Sequence, residues 1–183
     1  MDYSQRFRQL PNVLDIAAEM ATNDPVTRAH FEKALQNITE NQRIAALVGM
    51  IYDACLPEGE DLSQALSQMP QPYADILLID WLNAEQLNGS MHQFFYNSSG
   101  DHAPDIAFAL QRAGLPDHAA ALEKGMAHIG TPYPTDRATR LNIMHDFSEQ
   151  QDDLLYNLTS IIDDGRLYDA MRFLAEESGM WPE

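Results

Sequence analysis

Between Asn88 and Asp101 the chain reads NGSMHQFFYNSSGD, with His102 directly after it. Here histidine, serine, amide and carboxylate side chains crowd together. His92 and His102 flank Asp101, an arrangement that could serve acid/base chemistry or hold a metal. Gln93 and Asn97 lie at i and i+4 and could line a small pocket. A small-molecule enzyme built on the Gln93/Asn97/His92/Asp101 corner therefore has to be weighed. It requires an open pocket at that corner. Against it, none of the six histidines pair at i, i+4 and no HExxH is present. Ser98-Ser99-Gly100 lacks the strand-turn-helix setting of a nucleophile elbow. No glycine loop of the phosphate-binding type occurs. We expect no catalytic residue, no metal and no cofactor.

The elements that position these residues are helical. Ile44, Leu47, Val48, Ile51 and Cys55 share one helical face. Thr39 with Gln42 predicts a capping box at that helix's start. Leu154, Leu155, Leu158, Ile161 and Ile162 repeat the pattern, as do Leu167, Tyr168, Met171 and Leu174. The segment from Tyr73 to Leu87 is apolar on nearly every side, which predicts a buried central helix. Asp24-Pro25, Pro57 to Gly59, Pro70 to Pro72, Gly114 to Pro116 and Gly130 to Pro134 break the pattern. Gly89, Gly114 and Gly130 read as residues just past helix ends. No alternating run reaches strand length. The expectation is an all-α fold, a single compact domain (residues 1–183) of about nine or ten short helices.

Within that frame the central stretch is a corner between helices. Gly89 is expected in the left-handed conformation that ends the long helix. Ser90 would cap the next helix, with Gln93 closing a capping box. Phe94 and Phe95 would pack inward, and Gly100 would end the short helix. Read this way, Asn88, Gly89, Gln93, Phe94, Phe95, Asn97 and Gly100 are structural.

Charge carries a different message. The chain has 183 residues and a formal net charge of −17, from 28 acids against 11 Lys and Arg. No Lys or Arg occurs between Ile44 and Gln111. Such a surface repels nucleic acid and anionic membranes and attracts basic partners. The single cysteine, Cys55, excludes an intrachain disulfide. No apolar run is long enough to span a bilayer. A cytoplasmic setting is expected.

The corner resembles the signature of a bacterial all-helical family: Asn-Gly-Gly-x-x-Gln, two aromatic residues, then x-Asn-x-x-Gly. Asn88-Gly89, Gln93-Phe94-Phe95, Asn97 and Gly100 match it, and Ser90 replaces the second glycine. The family takes its name from a small acidic DNA-mimic protein. The resemblance implies an all-helical homodimer that occupies the DNA-binding face of a basic protein. That partner would be a helix-turn-helix transcription factor or a nucleoid protein, and transcription would change as a result. The resemblance implies no enzymatic activity and no cofactor. An immunity or antitoxin-like inhibitor of a basic nuclease would use the same chemistry on another partner.

Mimicry needs carboxylates spaced like phosphates. A duplex carries about one charge per 1.7 Å of axis, and helical positions i and i+3 or i+4 lie about 5–6 Å apart. Asp146, Glu149 and Asp153 follow i, i+3, i+7, with Asp152 beside them. Asp163, Asp164, Asp169, Glu176 and Glu177 extend this acidic set toward the C-terminus. Asp75, Asp80, Glu85, Asp101 and Asp105 form a second candidate face in the region without bases. For any single carboxylate the alternative is a solvated helix face or a helix cap, Asp163 and Asp164 among the caps.

Overall fold

One helix is buried along much of its length. In the helix Gln71–Asn88, six consecutive residues from Ala74 to Ile79 are buried, followed by Leu82, Asn83 and Gln86. A run buried on every side is what its all-round apolar sequence predicts. The computed structural model describes residues 40–55, 62–163 and 165–181. Among them are nine α-helices, one 3-10 turn and no strand. The protein is all-α. In chain order the helices are α1 (Glu40–Cys55), α2 (Leu62–Gln68), α3 (Gln71–Asn88), α4 (Met91–Tyr96), α5 (Ala103–Arg112), α6 (Pro116–Ile129), α7 (Arg137–His145), α8 (Glu149–Ile162) and α9 (Arg166–Glu177).

The chain divides into two compact units. One comprises Met1–Leu77 with Arg172–Glu183, the other Leu78–Met171. In the first, α1 buries Ile44, Leu47, Val48 and Ile51, the face its periodicity marks. Ala65 and Met69 are buried on and just after α2. The capping box at Thr39 and Gln42, the Asp24-Pro25 start, the Pro57 to Gly59 break and the side chain of Cys55 lie outside the described residues.

The second unit holds the signature stretch. Here α5 packs on α6, α6 on α8, and α8 on α4. Fully buried Phe94 and Phe95 stand edge to face, their ring centroids 5.0 Å apart. Gly125 on α6 lets that helix close on them. A Cβ there would lie 2.6 Å from the Phe95 ring and 3.2 Å from a Leu158 methyl. Leu155, Leu158 and Ile162 are the buried stripe of α8, while Ile161 is 44% exposed. Gly114 has φ 77, the left-handed residue expected beyond α5. Gly130 follows α6 in extended backbone.

Candidate functional site

The corner is built on two charged centres, and only one lay within reach of local reading. Glu85, near the end of α3, receives three hydrogen bonds. Gln93 Nε2 donates to Oε2 at 3.1 Å, Asn97 Nδ2 to Oε2 at 2.8 Å, and Ser99 Oγ to Oε1 at 2.5 Å. The amide pair of the signature therefore holds a carboxylate on the preceding helix. Ser90 does cap α4: its hydroxyl accepts from the Gln93 amide. Gln93 turns its own side chain to Glu85, so the Ser90 half of the expected capping box forms and the side chain of Gln93 serves elsewhere.

Gly89 corrects a second expectation. Its φ is not positive, and left-handed glycines occur at Gly114, Gly165 and Gly179 instead. What Gly89 supplies is room. A Cβ at this position would sit 2.1 Å from Gln93 Oε1. Gly100 likewise does not end α4, which stops at Tyr96 with Asn97 as its C-cap. Gly100 lies buried inside the 3-10 turn Ser98–His102, where a Cβ would meet two nitrogens of Arg140 at 3.0 Å.

Arg140 is the second centre, and the sequence reading passed over it. It is 0% exposed on α7, and its guanidinium closes the corner from the far side. Nε donates to Phe95 O and Nη2 to Asn97 O at 2.8 Å. Nη1 donates to Pro134 O and Thr135 O, each at 3.2 Å. Nη2 also pairs with Asp101 Oδ1 at 2.6 Å. These carbonyls cannot bond one another, and the planar fork of arginine satisfies them together. Tyr133 adds its hydroxyl to Gly100 O at 2.7 Å, and burial pushes that phenol well above its usual range. Arg137 Nε donates to Tyr96 O at 3.0 Å. At the start of α7 Asp136 caps Thr139 N at 2.7 Å, and hydrogen bonding from Thr139 lowers its pKa. A basic residue after the Tyr133-Pro134 turn, in a chain poor in bases, was the one available signal.

The second acidic set is therefore not a single exposed face. Asp75 is 1% exposed and accepts from Gln71 Nε2 at 2.8 Å. Glu85 and Asp101 are committed to the corner. Asp80 is half-buried, and burial raises its pKa from 3.8 to about 6. Asp105 is exposed, 3.9 Å from His102 Nδ1. Gln93 Nε2 and Asn97 Nδ2 donate to Glu85, and Asp101 Oδ1 accepts from Arg140, so these atoms are bonded within the corner. His92 is stacked between Tyr96 and Tyr156, with centroid distances of 6.2 and 5.3 Å. Its Nε2 lies 3.3 Å from Asp152 Oδ1, outside hydrogen-bond geometry. Among the described residues, no group of three or more His, Cys, Asp or Glu is placed to hold a metal ion. No helix among them is long and apolar enough to cross a membrane.

The first acidic set lies largely in solvent. Asp146, Glu149, Asp153, Asp163, Asp169, Glu176 and Glu177 are exposed, and Asp152 is half-buried. Asp164 lies outside the described residues. One element of the spacing fails. Asp146 caps the C-terminus of α7, and Ser148 opens α8 with a capping box to Gln151, so helical spacing does not link Asp146 to Glu149. Glu149, Asp152 and Asp153 share the first turns of α8, where carboxylates also complement the helix dipole. Asp163 is the C-cap of α8.

Fold and surface together define an acidic, all-helical protein with a hydrogen-bonded interhelical corner and exposed carboxylates on its penultimate helix. The chain belongs to the DMP19-like protein family, whose model matches residues 67–174, more than half of it. The matched span covers the whole signature corner and all of α4 to α8. Comparison with curated proteins and with solved structures gives no match.

Proposed function

We propose that this protein is a DNA mimic: it occupies the DNA-binding surface of a basic DNA-binding protein, of the helix-turn-helix transcription-factor kind, and so modulates transcription. The observation that carries this reading is membership of the DMP19-like family in a chain of net charge −17. The exposed carboxylates of α8 and α9 support it. Glu149 and Asp153 stand one turn apart in solvent, with Asp163 and Asp169 beyond them. One-turn spacing approximates the separation of neighbouring phosphates along a strand, and a basic surface that has evolved for DNA is drawn to it. The protein acts without enzymatic chemistry, in the cytoplasm and as a homodimer. The commitment of Gln93, Asn97 and Asp101 to internal bonds supports the first of these points.

The test is competition. The immobilised protein is incubated with host lysate at low salt, washed, and eluted with duplex DNA. A basic DNA-binding protein should be released by the duplex and by raised salt. Added back to that partner's DNA complex, the purified protein should displace the DNA. If DNA elutes no such protein, and no DNA complex yields to the acidic chain, the reading fails.

A further inference from the structure

Charge matching alone leaves one surface of the second unit unexplained. Between α6 and α8 lies a groove of about 360 Å³, lined by Lys124, Gln150, Asp153, Leu154, Asn157, Leu158 and Ile161. Its lining is more apolar than polar. The floor is Leu158, buried at 2% exposure, and the outer wall is Ile161, 44% exposed. At 360 Å³ the groove falls at the small end of binding-site volumes. It has room for one or two large side chains. Ile161 beside Leu154 and Leu158 offers an apolar surface that an entering side chain would cover.

The rim says what kind of group enters. Asp153 stands on the groove itself, with Glu149 one turn before it on α8 and Asp163 at the helix end. Lys124 is the one cation at the rim. The exposed carboxylates of Glu149 and Asp153, one turn apart beside this apolar floor, are complementary to a basic amphipathic segment, with its apolar face inward and its arginines or lysines on the carboxylates. A duplex offers no such apolar contact, so a basic protein seated here would gain affinity that salt does not remove.

We infer that the α6–α8 groove receives a leucine-like side chain from a basic amphipathic segment of the partner, and that the surrounding carboxylates bind the cations flanking it. The inference rests on the proposed reading of the protein as a ligand of basic proteins, and adds an apolar anchor to it. In this arrangement the acidic face sets association and salt dependence, while the groove sets the complex's residence time.

Three synthetic helical peptides test it on the full chain. The first carries arginines on one face and leucines on the other. The second has glutamine for every leucine, and the third has glutamine for every arginine. Affinities come from fluorescence anisotropy, and binding sites from amide chemical-shift changes. The first peptide should bind about tenfold or more tightly than either of the others, the scale of burying one leucine-sized side chain. Its shifts should centre on α6 and α8. The exposed substitution Ile161→Gln should reduce its affinity to that of the second peptide and leave the thermal transition unchanged. Equal binding of the first two peptides, or shifts centred elsewhere, overturns the groove and leaves the carboxylate reading standing. Failure of both arginine peptides to bind at low salt overturns both readings. If the protein is a dimer and Ile161→Gln alone makes it a monomer, the groove belongs to a second copy and the inference falls.

Discussion

The signature corner and the outer face of α8 lie in the same unit and use polar residues in opposite ways. At the corner the polar side chains bond to one another and to the backbone. Glu85 takes three donors, Arg140 serves four carbonyls and Asp101, and Tyr133 reaches Gly100 O. On α8, Glu149, Asp153 and Asn157 stand in solvent. The densest run of chemically capable residue types is thus a fastening device, and the plainer helix offers the free surface. A motif rich in His, Ser, Asn and Asp need not be a site. The test is where its hydrogen bonds end.

Substitutions in the two regions should separate stability from binding. The largest effect is expected at Arg140. Arg140→Met strips four carbonyls and Asp101 of a buried, charged donor and should cost about 3–5 kcal/mol in urea unfolding. Arg140→Lys should recover little, because a point charge cannot serve all five acceptors. A cost within 1 kcal/mol, roughly that of an ordinary surface change, would break the contrast.

Asp80 comes next, a carboxylate read from sequence as part of a face and found half-buried. Its folded pKa of about 6 exceeds the unfolded value of 3.8, so the folded state holds the proton more tightly. Stability linked to this group is present below pH 3.8 and lost as pH rises through about 6. Asp80→Asn should therefore raise stability by about 1–2 kcal/mol at pH 7.5, after allowance for solvent screening. It should also flatten the pH dependence of the unfolding midpoint across that window. An unchanged slope in that window would remove Asp80 from the account.

The smallest stability effect belongs to the solvent face. Glu149→Gln with Asp153→Asn should stay within about 0.5 kcal/mol of the parent. The same pair should weaken competition against duplex DNA and reduce its salt dependence. Arg140→Lys, if it folds at the assay temperature, should compete like the parent. Loss of competition in the corner variant and not in the face variant would reverse the assignment of the two regions.

The fold was largely legible because its signals are local. Periodicity at i, i+3 and i+4 marks the buried faces of α1 and α8, the all-apolar run marks the continuous burial of α3 from Ala74 to Ile79 (Leu87, farther along, is 63% exposed), and Ser90 is visible as a cap three residues before the Gln93 amide that donates to it. The corner was legible as a corner for the same reason. What periodicity cannot supply is pairing over distance. Asp101 and Arg140 are separated by 39 positions, and Glu85 finds Ser99 across 14. Of the five carboxylates spaced like a second face, Glu85 and Asp101 therefore bond within the corner, and Asp75 is buried within an apolar helix. Gly89 misled in another way. A glycine past a helix suggests a left-handed turn, yet here a Cβ would collide with the Gln93 carboxamide, a close approach that sequence spacing does not show. The i, i+3 relation between Asp146 and Glu149 dissolved because Ser148 starts a new helix between them.

The lysine at the groove has a practical consequence for labelling. The chain has two lysine side chains, Lys33 and Lys124, and the second stands at the rim of the α6–α8 groove. Amine-directed reagents therefore meet very few lysines, and one of them reports on the groove directly. A dye or a photo-crosslinker coupled to Lys124 would sit beside whatever the groove admits. Protection of Lys124 from acylation would register occupancy without any substitution, a convenience that follows from the same scarcity of basic residues that gives the surface its charge.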